Sequence, residues 1–410
     1  MPRNRVVQVK SERDEHLVEH VVRRFGPISR AKIHELTQIR PSATSQIVKQ
    51  LLSEGRLVED GVENGRLGRK GVLLRLNEES RSVAALQFDD EGITAGITNL
   101  LPAIKRTRAA KTPLDGGADK LVRQLIATMK SCLRGSDSAT LVGIGIADPG
   151  LVDSRSGVVL SCSTIPFWRE IPIKEIFERE FGVPVTVETH TRAKAVAERE
   201  ASNTRETMIY IDYGAGIGAG LVTDGRLLYG HNSGAGEFGH MHVVENDTAC
   251  NCGSFGCLEA IAGLRAVETR VRRAIADGGK TEVLDMAGGE ADRINGWMVF
   301  EAASRGDKIA GNTVAGVGRY LGLGIANLVN LFNPGAIVLD WRLRAAGSTL
   351  LDEIAAIVKF QALREFTSHL QIRYATQGSE AGILGMARMV LDEHLAIPAL
   401  KLPRFLEETQ

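Results

Sequence analysis

Three cysteines and a histidine lie close together in the sequence. Cys250, Cys252 and Cys257 fall within eight residues, and His240 lies ten residues before the first of them. Thiolate and imidazole groups are the ligands that zinc prefers in closed tetrahedral sites. Spacing alone allows either His240 or His242 to be the fourth ligand. Because protein groups fill all four positions, we expect a structural zinc that braces a loop and does not activate water.

Cysteine usage and composition restrict the class of protein. The chain has 410 residues, five of them cysteine, with 50 Lys and Arg against 50 Asp and Glu. Three cysteines in one short run favour a metal site over a disulfide framework or three buried free thiols, and indicate a reducing compartment. No apolar run approaches the roughly 18 residues of a membrane helix, and the N-terminus is charged rather than signal-like. We therefore predict a cytoplasmic protein of two or three domains that does not associate with membranes.

The first fifth of the chain is basic. Residues 1–76 contain 15 Lys and Arg against 9 Asp and Glu, so the remaining residues carry a net charge of −6. Nucleic-acid-binding segments are basic because Lys and Arg neutralise phosphates, although a solvated helical face gives a similar count. The charge alone therefore does not decide what this segment binds.

The same segment shows the element order of a winged helix-turn-helix. The expected elements are, in order, a helix over about Glu15–Arg24, a helix from Ser29 to Leu36, a helix from Pro41 to Gly55, a strand at 57–59, a turn-rich tip at 61–71 and a strand at 72–76. Ser29 is a suitable helix N-cap, and Gly26-Pro27 ends the first helix. Helices followed by a basic hairpin are typical of a DNA-binding winged helix.

Short polar side chains of the third helix are expected to reach base edges, and a lysine to reach phosphate. The expected DNA contacts in this helix are Ser42, Thr44, Ser45, Gln46 and Lys49. The expected contacts of the tip with the DNA backbone or minor groove are Arg66, Arg69 and Lys70. A winged helix that binds protein and an ordinary helical subdomain are the alternatives.

From Ser82 onward, strands alternate with helices and glycine is abundant. The expected elements are strands at 83–88, 93–100, 141–147 and 207–213, a glycine hairpin at 214–222, helices at 120–133, 325–332 and 381–394, and loops at 105–111 and 278–292. Glycines in the hairpin let a backbone or a ligand approach closely. The pattern indicates two α/β lobes that face a cleft.

Four segments resemble the ROK family (repressors, open reading frames and sugar kinases). They are Gly214–Gly220, Gly236-Glu237-Phe238-Gly239-His240, the C-x-C-G-x-x-G-C-x-E run at 250–259, and Asn327–Pro334. The resemblance starts near Ser82, and the winged head makes the chain similar to the regulators of the family. It implies an α/β fold in which an N-terminal winged helix-turn-helix precedes a two-lobed, actin-like ATPase (ribonuclease H-like) body.

The resemblance also implies a division of the chain and a set of metal ligands. The implied divisions are a winged domain at 1–78, a first lobe at 79–200 completed by a helix at 381–394, and a second lobe at 201–380 with the zinc loop and an oligomerisation surface. The implied zinc ligands are His240, Cys250, Cys252 and Cys257. The implied edges of a sugar cleft are Glu237, His240 and Glu259.

Several kinase motifs of the family are altered in this chain. The residues in place of its D-x-G-G-T phosphate loop include Gln87, Asp89, Asp90 and Glu91. Three carboxylates there repel a nucleotide unless a cation intervenes. His190 replaces the catalytic aspartate of the family's E-N-D motif, and Asp340-Trp341 and Ala215 replace further nucleotide-side residues. An imidazole can accept a proton at neutral pH but does not occupy the position of a carboxylate, so we expect no kinase activity.

The sugar site is altered as well. Thr164 and Thr189 stand where the family has asparagines. The expected ligand contacts are Thr164, Thr189, His190, Glu237, His240 and Glu259. Because half of the usual polar set is missing, we expect an unusual sugar, a sugar phosphate or a protein partner as effector, or an unliganded cleft.

Taken as a whole, the sequence predicts a DNA-binding regulator, most simply a repressor, of carbohydrate-related genes. It is expected to bind a two-fold symmetric operator as a homodimer or a dimer of dimers, with its degenerate kinase-like body sensing an effector. One alternative is a sugar kinase with a DNA-binding head, which the altered phosphate loop and His190 disfavour. Another is a DNA-binding zinc protein whose body only oligomerises, which ligand binding would distinguish.

Overall fold

The structure, a computed structural model, describes residues 3–63, 71–136, 140–202, 206–245 and 247–394. The elements up to residue 76 are α1 (Arg3–Phe25), β1 (Ile28–Ser29), α2 (Arg30–Thr37), α3 (Pro41–Ser53), β2 (Leu57–Val62) and β3 (Val72–Leu76). The strands form an antiparallel sheet in the order β1-β3-β2. The predicted helices and strands of the winged helix are present, and α1 starts well before the predicted Glu15. The predicted tip contacts Arg66, Arg69 and Lys70 lie outside the described residues.

A five-stranded sheet with flanking helices follows. Its region contains β4 (Ser82–Phe88), β5 (Gly92–Thr98), β6 (Ile104–Lys111), α4 (Gly117–Leu133), β7 (Leu141–Asp148), β8 (Leu151–Asp153), β9 (Val158–Ser161), α5 (Ile173–Phe181), β10 (Val185–Thr189) and α6 (His190–Ser202). The sheet order is β10-β7-β4-β5-β6, and β8 pairs with β9 separately. The predicted loop at 105–111 is wrong, because this stretch pairs antiparallel with β5 as an edge strand.

The next region repeats this sheet. It contains β11 (Met208–Tyr213), β12 (Ile217–Thr223), β13 (Arg226–Leu227), α7 (Leu258–Ala262), α8 (Leu264–Ala276), α9 (Glu282–Met286), α10 (Gly296–Ser304), α11 (Lys308–Phe332), β14 (Ala336–Leu339), α12 (Thr349–Gln361), α13 (Arg364–Thr367), β15 (Gln371–Tyr374) and finally α14 (Ala381–His394). The order β13-β12-β11-β14-β15 matches the first sheet strand for strand, with three antiparallel strands followed by two parallel ones. The predicted loop at 278–292 contains the short helix α9.

Helix α6 connects the two sheets. It leaves the first sheet at the end of β10, and it packs against β11 and β12 of the second sheet as well as against α14. Its small residues permit close approach: a Cβ at Gly385 of α14 would overlap the backbone of Ala193 in α6. The helix is therefore held between both lobes.

Helix α14 joins the winged region to the first sheet. Ala387, Val390 and Leu391 of α14 share one hydrophobic cluster with α1 residues such as Leu17 and Val21. The cluster also includes body residues of β4 and the turn after β5, so a single core runs from the winged region into the first lobe. None of the helices in the described part of the chain has the length and apolar character needed to cross a membrane.

Polar contacts reinforce this junction. Arg23 of α1 donates to the Asp392 carboxylate of α14 across 3.1 Å. Glu19, which is buried in α1, accepts from Arg56 at the start of the wing and from Arg81 just before β4. Because a buried carboxylate is costly without such partners, Glu19 ties the winged region to the beginning of the body.

Candidate functional site

A cleft of about 720 Å³ lies between the two sheets. Strands β4, β7, β10 and β11 all end at it, which follows from their parallel arrangement about the centre of each sheet. Ligands of open α/β sheets bind outside the carboxyl ends of the strands. The cleft lining includes all six predicted ligand contacts, Thr164, Thr189, His190, Glu237, His240 and Glu259.

The turn between β4 and β5 supplies three acidic side chains to the cleft. Asp89, Asp90 and Glu91 line it, and Asp89 accepts hydrogen bonds from the backbone N–H of Glu91 and Gly92, both at 2.9 Å. Gln87 lies elsewhere: its amide donates to the Ser379 carbonyl before α14. Of the residues that replace the family's phosphate loop, the three carboxylates therefore line the cleft, and the alignment of Gln87 with this loop stays a prediction.

Two arginines from the second lobe face this acidic turn. Arg342 Nη1 lies 3.6 Å from Glu91 Oε2, and Arg265 Nη2 lies 3.7 Å from Asp90 Oδ2. Burial raises the pKa of Asp90 and of Glu91, and the neighbouring acidic groups add to it, while the arginines act in the opposite direction. Sequence reasoning missed both arginines because they lie far from the acidic turn in the chain.

The Arg342 guanidinium is fixed by its own surroundings. Its Nε lies 3.4 Å from Asp340 Oδ1, and Nη2 donates to the Tyr213 carbonyl. The guanidinium carbon stands 4.7 Å from the centre of the Trp297 ring, which is cation–π distance. Asp340, which together with Trp341 replaces nucleotide-side residues of the family, is thus a buried acceptor that positions Arg342.

His190 forms part of a buried ionic network at the start of α6. Its Nε2 lies 3.1 Å from Asp212 Oδ2. Lys194, one turn further along α6, donates to Asp212 at 2.7 Å and to Asp340 at 3.3 Å. Burial lowers the pKa of His190, although the Asp212 charge opposes this, so the neutral ring is favoured at pH 7. Spacing of four residues on a helix would have revealed Lys194 beside His190.

Asp212 is the common acceptor of this network. It lies one residue before the end of β11 and also accepts from the Thr191 hydroxyl at 2.9 Å. Although burial works against its charge, Lys194 and His190 hold the pKa of Asp212 well below its usual range. Asp212 therefore stays charged and orients the His190 ring at the edge of the cleft.

The other half of the cleft is built from glycine-rich backbone and two glutamates. Glu259 Oε2 accepts from the Ile217 N–H at 3.0 Å, and Glu237 lies 3.8 Å from His240 Nε2. Burial raises the pKa of Glu259. Gly236 adopts φ +105°, and a Cβ there would collide with the Ala219 carbonyl, so only glycine permits this loop to lie on β12.

A group that can hold a metal ion lies beside this half of the cleft. The ligand atoms of His240, Cys250, Cys252 and Cys257 all lie within 4.8 Å of one another. Cys252 and Cys257 sulfurs are 3.8 Å apart, and Cys250 Sγ is 3.7 Å from His240 Nδ1. Metal–sulfur bonds of about 2.3 Å in a tetrahedron give sulfur–sulfur edges of about 3.8 Å, so the four groups fit one ion. His242 instead contacts the Ser254 hydroxyl.

The predicted DNA-reading face of α3 is largely exposed. Ser42, Ser45, Gln46 and Lys49 all point to solvent. Thr44 is 1% exposed, and its hydroxyl donates to the Ile39 carbonyl at 3.2 Å. The inclusion of Thr44 among the DNA contacts is therefore wrong, because it lies on the buried face of the helix.

The chain belongs to the ROK family, whose family model matches residues 90–393. It is similar to the xylose repressor of Caldicellulosiruptor bescii, at 27% identity over 90% of this chain and 93% of that protein. A crystal structure of a ROK family transcriptional regulator, a homologue of the E. coli MLC protein, matches with a TM-score of 0.79 and 25% identity over 94% of this chain and 97% of the other.

A ROK family glucokinase from Streptomyces griseus, in complex with glucose and AMPPNP, matches with a TM-score of 0.68 and 31% identity. That match covers 75% of this chain and 98% of the enzyme, so about a quarter of this chain has no counterpart there. The predicted fold class and family resemblance are both confirmed.

A buried carboxyl at the end of β7 adds a pH-sensitive element next to the cleft. Asp148 is fully buried and accepts from Trp168 Nε1 at 2.9 Å and from the Gly150 N–H at 2.8 Å. Burial raises the pKa of Asp148 to about 7. Since an unfolded aspartate has a pKa of about 3.9, the folded state binds more protons than the unfolded state between about pH 4 and 7.

The free energy of unfolding therefore decreases through that window as pH rises. Asp148→Asn keeps a side-chain acceptor but removes the charge. We expect its stability advantage over the wild type to grow by about 1–2 kcal/mol from pH 5.5 to pH 8, as measured by urea unfolding. Asp153→Asn is the control, because hydrogen bonding from Ser156 lowers the pKa of Asp153 and both pH values lie above it. If the difference in the free energy of unfolding between Asp148→Asn and the wild type does not change with pH, the raised pKa of Asp148 is contradicted.

Proposed function

We propose that this protein is a DNA-binding transcriptional repressor of carbohydrate-related genes whose kinase-like body senses an effector. The observation that carries the proposal is the exposed polar face of α3 on a winged helix that shares one hydrophobic core with a ROK body. A regulator and a repressor are among its full-length relatives. We place the divisions of the chain at 78 and 200, with α14 completing the first lobe.

A contiguous set of contacts supports coupling between cleft and DNA. Helix α6 begins in the cleft at His190 and packs along α14. Helix α14 in turn contacts α1 through apolar side chains and through Asp392 and Arg23. A change in lobe closure that moves α6 therefore reaches the winged domain in two steps. An effector regulates by its differential affinity for the two arrangements.

The charges of the cleft favour an uncharged sugar over a sugar phosphate as effector. The carboxylates that line it in the described residues are Asp89, Asp90, Glu91, Asp212, Glu237 and Glu259. Of the lining arginines, Arg342 and Arg192 are engaged in ion pairs and Arg169 is exposed. A phosphate placed here meets several carboxylates and few free cations, which is unfavourable.

We propose that His240, Cys250, Cys252 and Cys257 hold a structural zinc ion. All four positions are protein ligands, so the ion would brace the loop and leave none open for water. His240 connects this loop to the cleft, because its other ring nitrogen faces Glu237. The loop that carries Glu237 and Glu259 would in this way keep its shape when a sugar binds.

Binding to a two-fold symmetric operator requires two winged domains. We propose that the protein acts as a homodimer or a dimer of dimers, so that two winged domains read half-sites about one helical turn apart. Analytical ultracentrifugation at micromolar concentration measures the assembly, and a monomer bound to a single half-site would contradict this part of the proposal.

The function is tested by fluorescence anisotropy with DNA from upstream of the protein's own gene. We expect specific binding that an uncharged sugar relieves and that its phosphorylated form leaves unchanged. Lys49→Ala should weaken binding and reduce the slope of log K against log salt by about 1, since one phosphate contact is lost. Lys105→Ala, an exposed body lysine, is the matched control. Absence of specific binding would contradict the function, and an unchanged slope would remove Lys49 from the contacts.

Cys257→Ser tests the metal. We expect the purified variant to lose stoichiometric zinc, as measured by mass spectrometry, and to lose effector control of DNA binding because the cleft loop is no longer braced. Cys132→Ser is the control, since Cys132 is a buried thiol outside both the cluster and the cleft lining. Zinc content near zero in the wild type would contradict the site, and control retained by the variant would separate the metal from signalling.

The alternative function is an ATP-dependent sugar kinase with an appended DNA-binding head, favoured only by the match to a glucokinase. We expect no phosphate transfer from ATP to any hexose, because the acidic turn disfavours nucleotide and because the imidazole of His190 does not occupy the position of the family's catalytic carboxylate. A coupled assay with a hexose panel measures this. Transfer above a heat-denatured control would establish the kinase.

A further inference from the structure

We propose that two ion pairs form a latch that holds the lobes together across the half of the cleft that the acidic turn, Asp89 to Glu91, lines. The latch pairs are Glu91 with Arg342 and Asp90 with Arg265. In each pair the carboxylate comes from the turn between β4 and β5, and the arginine comes from the second lobe. The latch goes beyond the proposed function, since it sets the opening of the lobes whether or not DNA or an effector is bound.

On the second-lobe side of the latch, residues of that lobe hold the Arg342 guanidinium in position. Asp340 is fully buried and holds the guanidinium, and the Trp297 ring lies beneath it. Two groups of the second lobe thus aim the arginine at the first lobe before any contact with Glu91 forms. Such preorganisation reduces the entropy lost when the pair closes.

Buried contacts at the base of the cleft give the latch a fixed pivot. Lys194 of α6 bonds both Asp212 and Asp340, and its side chain is only 13% exposed. Because α6 packs on both lobes, these buried contacts join the lobes at the base of the cleft, away from the acidic turn at its mouth. The contacts between the lobes are therefore buried and strong at the base of the cleft, and exposed and weaker at its mouth.

The exposure of the latch pairs makes the closure weak and dependent on salt. Side-chain exposure is 51% for Glu91 and 53% for Arg265, with their partners near one fifth. Separations of 3.6 and 3.7 Å are ion-pair distances without direct hydrogen bonds. Partly exposed pairs contribute little individually and are screened by salt. The two ion pairs therefore hold the lobes together in the absence of a nucleotide, but their free energy is small enough that the cleft opens easily.

The charges of the latch belong to the chain itself and need no bound ligand, so closure through them depends on ionic strength.

The test measures the distance between the lobes in the full-length protein without DNA or sugar. A donor and an acceptor dye are attached through non-canonical amino acids at exposed Lys111 and Asp277, one in each lobe. We expect energy transfer to fall as KCl rises from 20 mM to about 500 mM, where the Debye length drops below about 5 Å. Energy transfer that does not respond to salt would overturn the latch, whatever the behaviour on DNA.

Charge reversal identifies the pairs. Asp90→Arg and Arg265→Glu are each expected to shift the opening equilibrium two- to fivefold toward the open form. The double variant is expected to restore closure in part, because Arg265→Glu also removes the hydrogen bond from Arg265 to the Thr164 carbonyl. Arg305→Glu is the control, because Arg305 pairs with Glu282 and Glu301 within a single lobe. Thermal melting verifies that each variant folds. Failure of the double variant to restore closure would overturn the pairing, and if a variant does not fold, the salt titration of the wild type decides.

Discussion

The packing of one helix, α14, is the contact on which the rest of this structure depends. It covers the first sheet, lies along α6 and completes the hydrophobic core of the winged domain. Without this helix, no chain of packed residues would connect α6 at the cleft to the winged domain. Close approach of α14 to α6 rests on small residues such as Gly385 and Ala193, so the coupling is made by backbone contact rather than by long flexible side chains.

The cleft combines a two-sheet architecture, shared with a ROK family glucokinase, with charges that balance one another. Two sheets of equal topology bring their strand ends together, and Glu237 and Glu259 face the space between them. Lys194 and Arg342 balance carboxylates of the acidic turn and of the strand ends in the second sheet. Fixed charges of the chain itself therefore set the electrostatics of the cleft.

Local patterns in the sequence were sufficient for the helices and strands of the winged region and for the residues of the metal group. His240 and the cysteine run are near one another in the chain, so their spacing carries the information, although only the structure separates His240 from His242. Partners such as Arg342 for Glu91 are hundreds of residues apart, and no local signal joins them. Thr44 was misplaced although it lies three and four residues before buried Ile47 and Val48, a spacing that already puts it on the apolar face. Strand β6 resembles a loop because it is a basic edge strand.

The order of elements along the chain has a consequence during synthesis. The apolar residues of α1 are translated long before Ala387, Val390 and Leu391 of α14, which help to cover them. A ribosome-bound chain therefore carries a winged domain with an incomplete core until α14 emerges. Chains that stop early keep this apolar surface exposed, which marks them for chaperones and proteases. The core of the winged domain and the packing of the first lobe are thus completed by the same late event.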